Sequence, residues 1–249
     1  MRVSWPLELV ESHTELASTQ NRAMELARSG ASEGSTVIAQ TQSAGRGRFA
    51  RVWFSKPGGL WMSVLLRPAL PMERPGLLSL LAGLAIHDVL RNISSIEAGL
   101  KWPNDVYVEG KKICGILMEQ EARSGAIILG IGVNVNFLQA DFPDEIRARA
   151  VSLRMCTGQK HDLPAVAEAV RLALWQRYQQ FQNKAHALTL SEWKKHNITL
   201  GTWVNVQYGP GHVISGQAID LSPEGFLLVQ DRQGLTQTIT AGELLAEQP

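Results

Sequence analysis

At 249 residues the chain has room for one large domain, or for a medium one with a small companion, and 45% hydrophobic against 19% charged residues excludes a disordered or fibrous polypeptide. With 24 Lys and Arg against 23 Asp and Glu the formal net charge is +1, so nothing draws the whole molecule to nucleic acid or an anionic membrane, and any anion must be recognised locally. The longest apolar stretch, Gly76 to Ile86, is broken by Ser79 and falls short of the ~20 residues that cross a bilayer. The first eight residues hold a proline and a glutamate and no signal-peptide core, so a cytoplasmic protein without a membrane span is expected. Cys114 and Cys156 belong to no CxxC or Cys/His cluster, which points to free structural thiols and to neither a zinc site nor a disulfide scaffold.

Ser18-Thr19 can cap a helix that runs to about Ser29 and stops at Gly30, and Thr36-Val37-Ile38 then starts a strand. Leu60 to Leu66 is apolar at almost every position, as expected of a strand covered on both faces, and Pro68 and Pro71 end it. Leu77, Leu78, Leu80, Leu81, Leu84, Ala85 and Val89 make a core helix whose polar end, His87 to Asn92, should face water. From Gly99 a meander is predicted: Leu100-Lys101-Trp102, a Pro103-Asn104-Asp105 turn, Val106-Tyr107-Val108, Glu109-Gly110, the run Ile113 to Glu119, and a further strand over Ala126 to Val133. Leu163, Val166, Ala167, Val170, Leu174 and Phe181 share one helix face, with Pro164 in the first turn. Past Asn197 the text becomes short alternating segments, Trp203 to Gln207, His212 to Asp220, Gly225 to Gln230 and Thr236 to Thr240. The expected fold is α+β: a mixed, largely antiparallel sheet flanked by helices over residues 1–197, then a small barrel-like β domain over 198–249.

The segment Gln42 to Trp53 carries Arg46, Arg48 and Arg51 with Gly45 and Gly47 and no acidic residue, a composition suited to an anion, because glycine admits close backbone approach and guanidinium forks grip phosphate or carboxylate oxygens. Gly45 to Ala50 also fits G-x-G-x-x-A, but Arg51 to Pro57 cannot open a helix and no acidic residue follows within reach of a ribose, so a dinucleotide fold is rejected. Alone, the loop reads equally well as a solvated basic turn. Lys101-Trp102-Pro103-Asn104-Asp105 holds a lysine at a strand end beside a rigid turn, where an ammonium can stabilise charge on a transferring phosphoryl group; by itself it also reads as an exposed hairpin lysine with turn-forming Asn and Asp.

Taken in order, Ser18-Thr19, the Gly-Arg loop, Lys101-Trp102-Pro103-Asn104-Asp105, Gly115-Ile116-Leu117-Met118-Glu119 and Gly130-Ile131-Gly132-Val133-Asn134 resemble the successive signatures of biotin protein ligases, strongly over residues 12 to 137 and more weakly beyond. The resemblance implies ATP-dependent activation of biotin to biotinoyl-5′-AMP, then transfer of biotin to one lysine of an acceptor, with Mg²⁺ accompanying ATP and an SH3-like β-barrel as the C-terminal domain. It implies biotin contacts from Ser18, Thr19, Gln20, Gln42, Arg46, Gly47, Arg48, Lys101 and Gly115. On the nucleotide side it implies Arg48, Arg51, Trp53, Asn104, Lys112 and Asn134. Lys101 and Arg48 would be the catalytic pair, and no residue is assigned to a metal. The family usually has Asn at Gln20, with Asn21 as a candidate substitute, and Gly at Ala50. Clustered cations suit the chemistry, since a carboxylate must meet a polyphosphate, and the glycine-bearing loop would serve as a lid that keeps water from the mixed anhydride.

The implied partner is the apo-biotin carboxyl carrier domain of a carboxylase. Seventeen residues before Ser18 are too few for a DNA-binding module, so direct DNA binding is not expected; a homodimer through edge strands is left open. The closest rival enzyme is a lipoate-protein ligase, whose motifs fit the two basic segments less well, and from another class a noncatalytic module whose basic loop holds a cofactor. Cys114 is expected to pack in its strand, the six histidines to cap or lie on the surface, and Trp61, Trp175, Trp193 and Trp203 to lie on apolar faces, with Trp53 and Trp102 set apart by position.

Overall fold

The computed structural model describes residues 9–68, 76–183, 186–208 and 211–245. Its main sheet has seven strands: β1 (Val10–Leu16), β2 (Thr36–Gln42), β3 (Gly59–Leu66), β4 (Gly99–Lys101), β5 (Asp105–Val108), β6 (Lys111–Gln120) and β7 (Ile127–Asn134). Their order is β1-β2-β3-β7-β6-β5-β4, parallel only between β1 and β2 and antiparallel elsewhere. The mixed, mainly antiparallel sheet is therefore as expected, with β1 an unforeseen seventh strand.

Helix α1 (Thr19–Arg28) covers one face, burying Ala23, Leu26 and Ala27 against Val37, Leu65 and Ile128. The opposite face holds α2 (Gly76–Ser94) and, beyond the short helices α3 (Asp144–Arg147) and α4 (Leu153–Thr157), the long α5 (Leu163–Gln182) and α6 (His186–Lys195). Leu60, Met62, Val64 and Leu66 of β3 point to that side and Leu65 to the other, so every residue of β3 is buried, as two-sided coverage requires. Asp162 caps α5 by accepting a hydrogen bond from the Ala165 amide, with Pro164 in the first turn where no amide is needed. Helix α2 is long and apolar enough to cross a membrane by length and composition, yet 72% of that window is buried inside the protein. Of the two prolines expected to end β3, Pro68 stands two positions past Leu66, while Pro71 lies outside the described residues.

The second sheet comprises β8 (Trp203–Gln207), β9 (Val213–Leu221), β10 (Leu227–Gln230), β11 (Thr236–Ile239) and β12 (Glu243–Leu244), in the antiparallel order β11-β10-β9-β8-β12. Among the described residues no pairing joins β11 to β12, so the expected barrel is an open five-stranded sheet. Its inner face, Val204, Val206, Ala218, Leu227, Val229 and Ile239, continues the core that α2 and α5 begin.

Four local expectations are corrected. Ser18 occupies the N-cap position of α1 with extended backbone, but its side chain makes no cap bond; its Oγ instead accepts from Arg46 at 3.3 Å. The polar end of α2 does not face water as a unit, because His87 is 1% exposed and Val89 and Leu90 are buried beside it. His87 is thus no surface residue: its Nδ1 donates to the Ala98 carbonyl at 3.0 Å, and its ring lies 3.9 Å from that of His196. Trp203 is exposed beneath the Arg232 guanidinium, whereas Trp61, Trp175 and Trp193 are core residues.

Candidate active site

The Gly-Arg loop folds back on itself. Gly47 N donates to Arg51 O at 2.7 Å and Trp53 N to Gly45 O at 2.9 Å, so Arg46 and Val52 pair across a short antiparallel bridge. The tip, Arg48–Ala50, turns through two left-handed residues, Phe49 at φ 55 and Ala50 at φ 56. A left-handed alanine is strained by ~1–2 kcal/mol, which is the physical content of Ala50 standing where glycine would be at ease. The loop arches over a cavity of about 670 Å³ between α1, the middle of the main sheet and the edge of the second sheet. Every residue implied by the resemblance lines this one cavity: Ser18, Thr19, Gln20, Gln42, Arg46, Gly47, Arg48, Arg51, Trp53, Lys101, Asn104, Lys112, Gly115 and Asn134.

At one end a polar network is built from the start of α1 and the two strands beneath it. Thr19 N and Oγ1 reach Gln42 Oε1 at 2.8 and 3.0 Å, Thr19 Oγ1 also meets Ser63 Oγ at 2.9 Å, and Ser63 Oγ donates to Gln20 Oε1 at 3.0 Å. Gln20 Nε2 is spent on the Ile128 carbonyl at 3.0 Å, and a Cβ on Gly130 would come within 2.6 Å of Gln20 Oε1, so glycine is what lets the longer Gln fit. Asn21 does not substitute for it: that side chain is exposed and accepts from Arg46 Nη1 at 2.7 Å.

At the other end the indole of Trp53 lies flat on glycine. A Cβ on Gly132 would clash with the ring, closest at Trp53 Nε1 and next at Cε2, 2.7 Å away, and that Nε1 is buried without a hydrogen-bond partner among the described residues. Lys112 Nζ sits 5.2 Å from the same ring and 2.6 Å from Asp105 Oδ1. Asn134 donates to the Val151 carbonyl at 3.1 Å, and Asn104 donates to the Ile116 carbonyl at 2.6 Å. Both amides therefore brace the wall while their residues line it.

Six cationic side chains, Arg46, Arg48, Arg51, Lys101, Lys112 and Arg149, line the cavity against two carboxylates, Asp105 and Glu243. Arg46 is held by Glu119 at 2.9 Å and Arg51 by Glu243. Arg48 donates to Gly242 O at 2.9 Å and to Asn104 Oδ1 at 3.3 Å, so the loop tip is fastened to the second sheet and to the turn after β4. Burial lowers the Arg48 pKa, opposed by the charges of Asp105 and Glu243. Among the described residues no carboxylate pairs with Lys101, whose Nζ lies 5.1 Å from the Tyr107 ring centroid; burial raises that phenol to about 12. An ammonium without a carboxylate partner beside a half-buried aromatic ring is a place for an anion.

The resemblance did not name Ser63, Asp105, Tyr107, Arg149 or Glu243 to Leu245, which also line the cavity. Asp105 belonged to the quoted turn and was within reach of the reading; the others are delivered by strand register and by the second sheet. Trp102 lines the cavity, but at 3% exposed it is also core, its Nε1 donating to Gly225 O at 3.1 Å. Cys114 is buried with its thiol pKa raised by burial, which is packing and not nucleophilic chemistry.

Residues 14–136 match the biotin/lipoate A/B protein ligase family and residues 199–244 the biotin protein ligase C terminal domain. The chain is 37% identical over 233 residues to the bifunctional ligase/repressor BirA of Bacillus subtilis, covering 92% of this chain and 71% of that protein. It is 33% identical over 237 residues to a biotin--[acetyl-CoA-carboxylase] ligase of Mycobacterium tuberculosis, covering 93% of this chain and 86% of the other. Among solved structures, the biotin protein ligase from Aquifex aeolicus in complex with biotin and ATP superposes with a TM-score of 0.84 at 33% identity, over 95% of this chain and 97% of that one.

Proposed function

The chain belongs to the biotin protein ligase family, and from that premise we propose that it joins biotin to AMP and then passes the biotinoyl group to one lysine of an apo-biotin carboxyl carrier domain. The observation that carries this reading is the single cavity with a neutral polar end and a cationic end. Thr19, Gln20, Gln42 and Ser63 offer fixed amide and hydroxyl groups suited to the uncharged ureido ring. Lys101 and the Gly-Arg loop offer positive charge where carboxylate and α-phosphate must meet, and the Trp53 indole on its glycine floor offers a stacking face for a base.

In the first step a biotin carboxylate oxygen attacks the α-phosphorus, forming an acyl–phosphate bond as the bond to the β-phosphate oxygen breaks and pyrophosphate departs. Lys101 holds the two anions together, and Mg²⁺ would enter with ATP and offset phosphate charge. Asp105 and Glu243, the carboxylates that line the cavity, are paired with Lys112 and Arg51 and would be the protein oxygens nearest to such an ion. In the second step the neutral amine of the acceptor lysine attacks the acyl carbon, the acyl–oxygen bond breaks, AMP leaves with the negative charge, and the amine proton passes to water as the amide forms. Arg48, fastened to Gly242 and Asn104, keeps the loop over the anhydride meanwhile.

Exchange of labelled pyrophosphate into ATP tests this reading. It should require biotin and Mg²⁺; equal exchange with lipoate, or without biotin, overturns the assignment. Transfer is tested separately, by biotin appearing on one lysine of an apo carrier domain.

A further inference from the structure

Outside the cavity lining, three side chains converge for which the ligase reaction has no use: His87 from α2, Glu97 from the segment before β4, and His196 just beyond α6. Their donor atoms all lie within 4.8 Å of one another, and the two imidazoles face each other at 3.9 Å between centroids with a tilt of 32°. His87 is 1% exposed. Because the Ala98 carbonyl can only accept, the 3.0 Å bond to it places the hydrogen on Nδ1 and leaves Nε2 to present a lone pair. That Nε2 is buried and has no hydrogen-bond partner among the described residues. A buried acceptor without a partner is costly, and a histidine whose other nitrogen is fixed by a backbone carbonyl is oriented as metal-binding histidines are.

We propose that His87, Glu97 and His196 bind a single divalent transition-metal ion of the zinc class, with water completing the coordination. Two imidazoles and one carboxylate suit such an ion better than magnesium or calcium, which take oxygen ligands. The present spread of the donors exceeds that of a bound tetrahedron, and Glu97, whose side chain is 72% exposed and lies 3.9 Å from Arg91, has room to swing inward. Asp88, beside this cluster, is tied to Arg177 at 2.7 and 3.0 Å and is not needed as a fourth donor.

Such an ion would clamp the strand that ends in Lys101. The His196 carbonyl accepts from Leu100 N at 2.8 Å and the Leu100 carbonyl accepts from Ile198 N at 3.0 Å, so the chain leaving α6 runs beside β4. Metal at His196 and Glu97 would tie this pair of strands to α2.

Metal-stripped full-length protein, titrated with Zn²⁺ in equilibrium dialysis and with Co²⁺ in visible absorption, should take up one ion per chain with a tetrahedral cobalt spectrum. Zinc should also raise the melting temperature. His196→Asn and Glu97→Gln, both at accessible positions, should keep the wild-type circular dichroism and the biotin-dependent pyrophosphate exchange while binding zinc at least about 10-fold more weakly. Failure of folded wild type to retain zinc, or unchanged affinity in both variants, overturns the proposal; the second result assigns the ion to other donors.

Discussion

Replacing Lys101 by alanine separates the chemistry of the cavity from its architecture. The lysine ends β4 opposite Asp105, and its ammonium lies over Tyr107 without a carboxylate partner among the described residues. Removing it therefore costs the folded protein little more than one half-buried cation–π contact, ~1–2 kcal/mol. The transition state loses far more. Charge that grows between carboxylate and α-phosphate would lose one preorganised donor, and removal of one such donor costs ~2.7–4 kcal/mol, or about 10²–10³ in rate. A value toward the upper end is expected, because burial that lifts the Tyr107 phenol to about 12 marks surroundings in which water screens poorly. Biotin-dependent pyrophosphate exchange, measured as kcat/KM beside urea unfolding of the same preparation, reads both quantities. Lys101→Met, which keeps the stem, should behave like alanine in exchange and nearer to wild type in stability. Exchange within a few fold of wild type in a stable variant refutes the reasoning and leaves neutralisation to Arg48 and Arg149.

Arg48→Gly releases the loop tip from Gly242 O and Asn104 Oδ1, so the adenylate should escape more than its synthesis slows; biotinylation of a bystander such as serum albumin by the variant, with ATP and biotin, checks this, and adenylate synthesis without leakage would deny Arg48 the role of latch. Gly132→Ala drives a methyl group into the Trp53 ring, closest at Nε1. It should cost ~1–3 kcal/mol of stability by overpacking and raise KM for ATP more than for biotin, as steady-state kinetics would show. The Glu11 carboxylate, paired with Arg22 at 2.8 Å, has its pKa lowered to about 2, and that of Glu121, bonded to Ser124 and Arg28, is also lowered to about 2. Their contribution is present above the ordinary carboxylate range and is lost as pH falls from about 4.5 toward 2. Glu11→Gln should accordingly flatten the acid limb of stability against pH in denaturant titrations, and an unchanged limb would show the pair to be idle.

The parts of this fold that were legible in the sequence are those whose signal is local. The run Leu60 to Leu66 and the Glu109-Gly110 turn speak through neighbours a few residues away, and β3 and the β5–β6 hairpin appear where expected. β1 was missed because VESHTEL carries little apolar patterning; it is an edge strand, half solvated, held in parallel to Thr36–Gln42. His87 reads as polar in its own helix, and only His196 and Ala98, brought to it by tertiary structure, explain its burial. Ser18 has the chemistry of a cap, yet spends it on Arg46 because the loop passes within reach. The candidate site shows the same division. Ordered motifs sufficed to assemble its residues, since the sheet order brings the motif-bearing stretches of β6 and β7, the start of α1 and the loops after β2 and β4 around one cavity. What motif spacing could not supply is the pairing of charge. Arg46, Arg48 and Arg51 are chemically identical and stand within six positions of one another. One is neutralised by Glu119 from β6, one by Glu243 from the second sheet, and the third is left to backbone oxygen and an amide. Which guanidinium remains without a carboxylate, and so available to an anionic intermediate, is decided by acids 73 and 192 positions further along the chain.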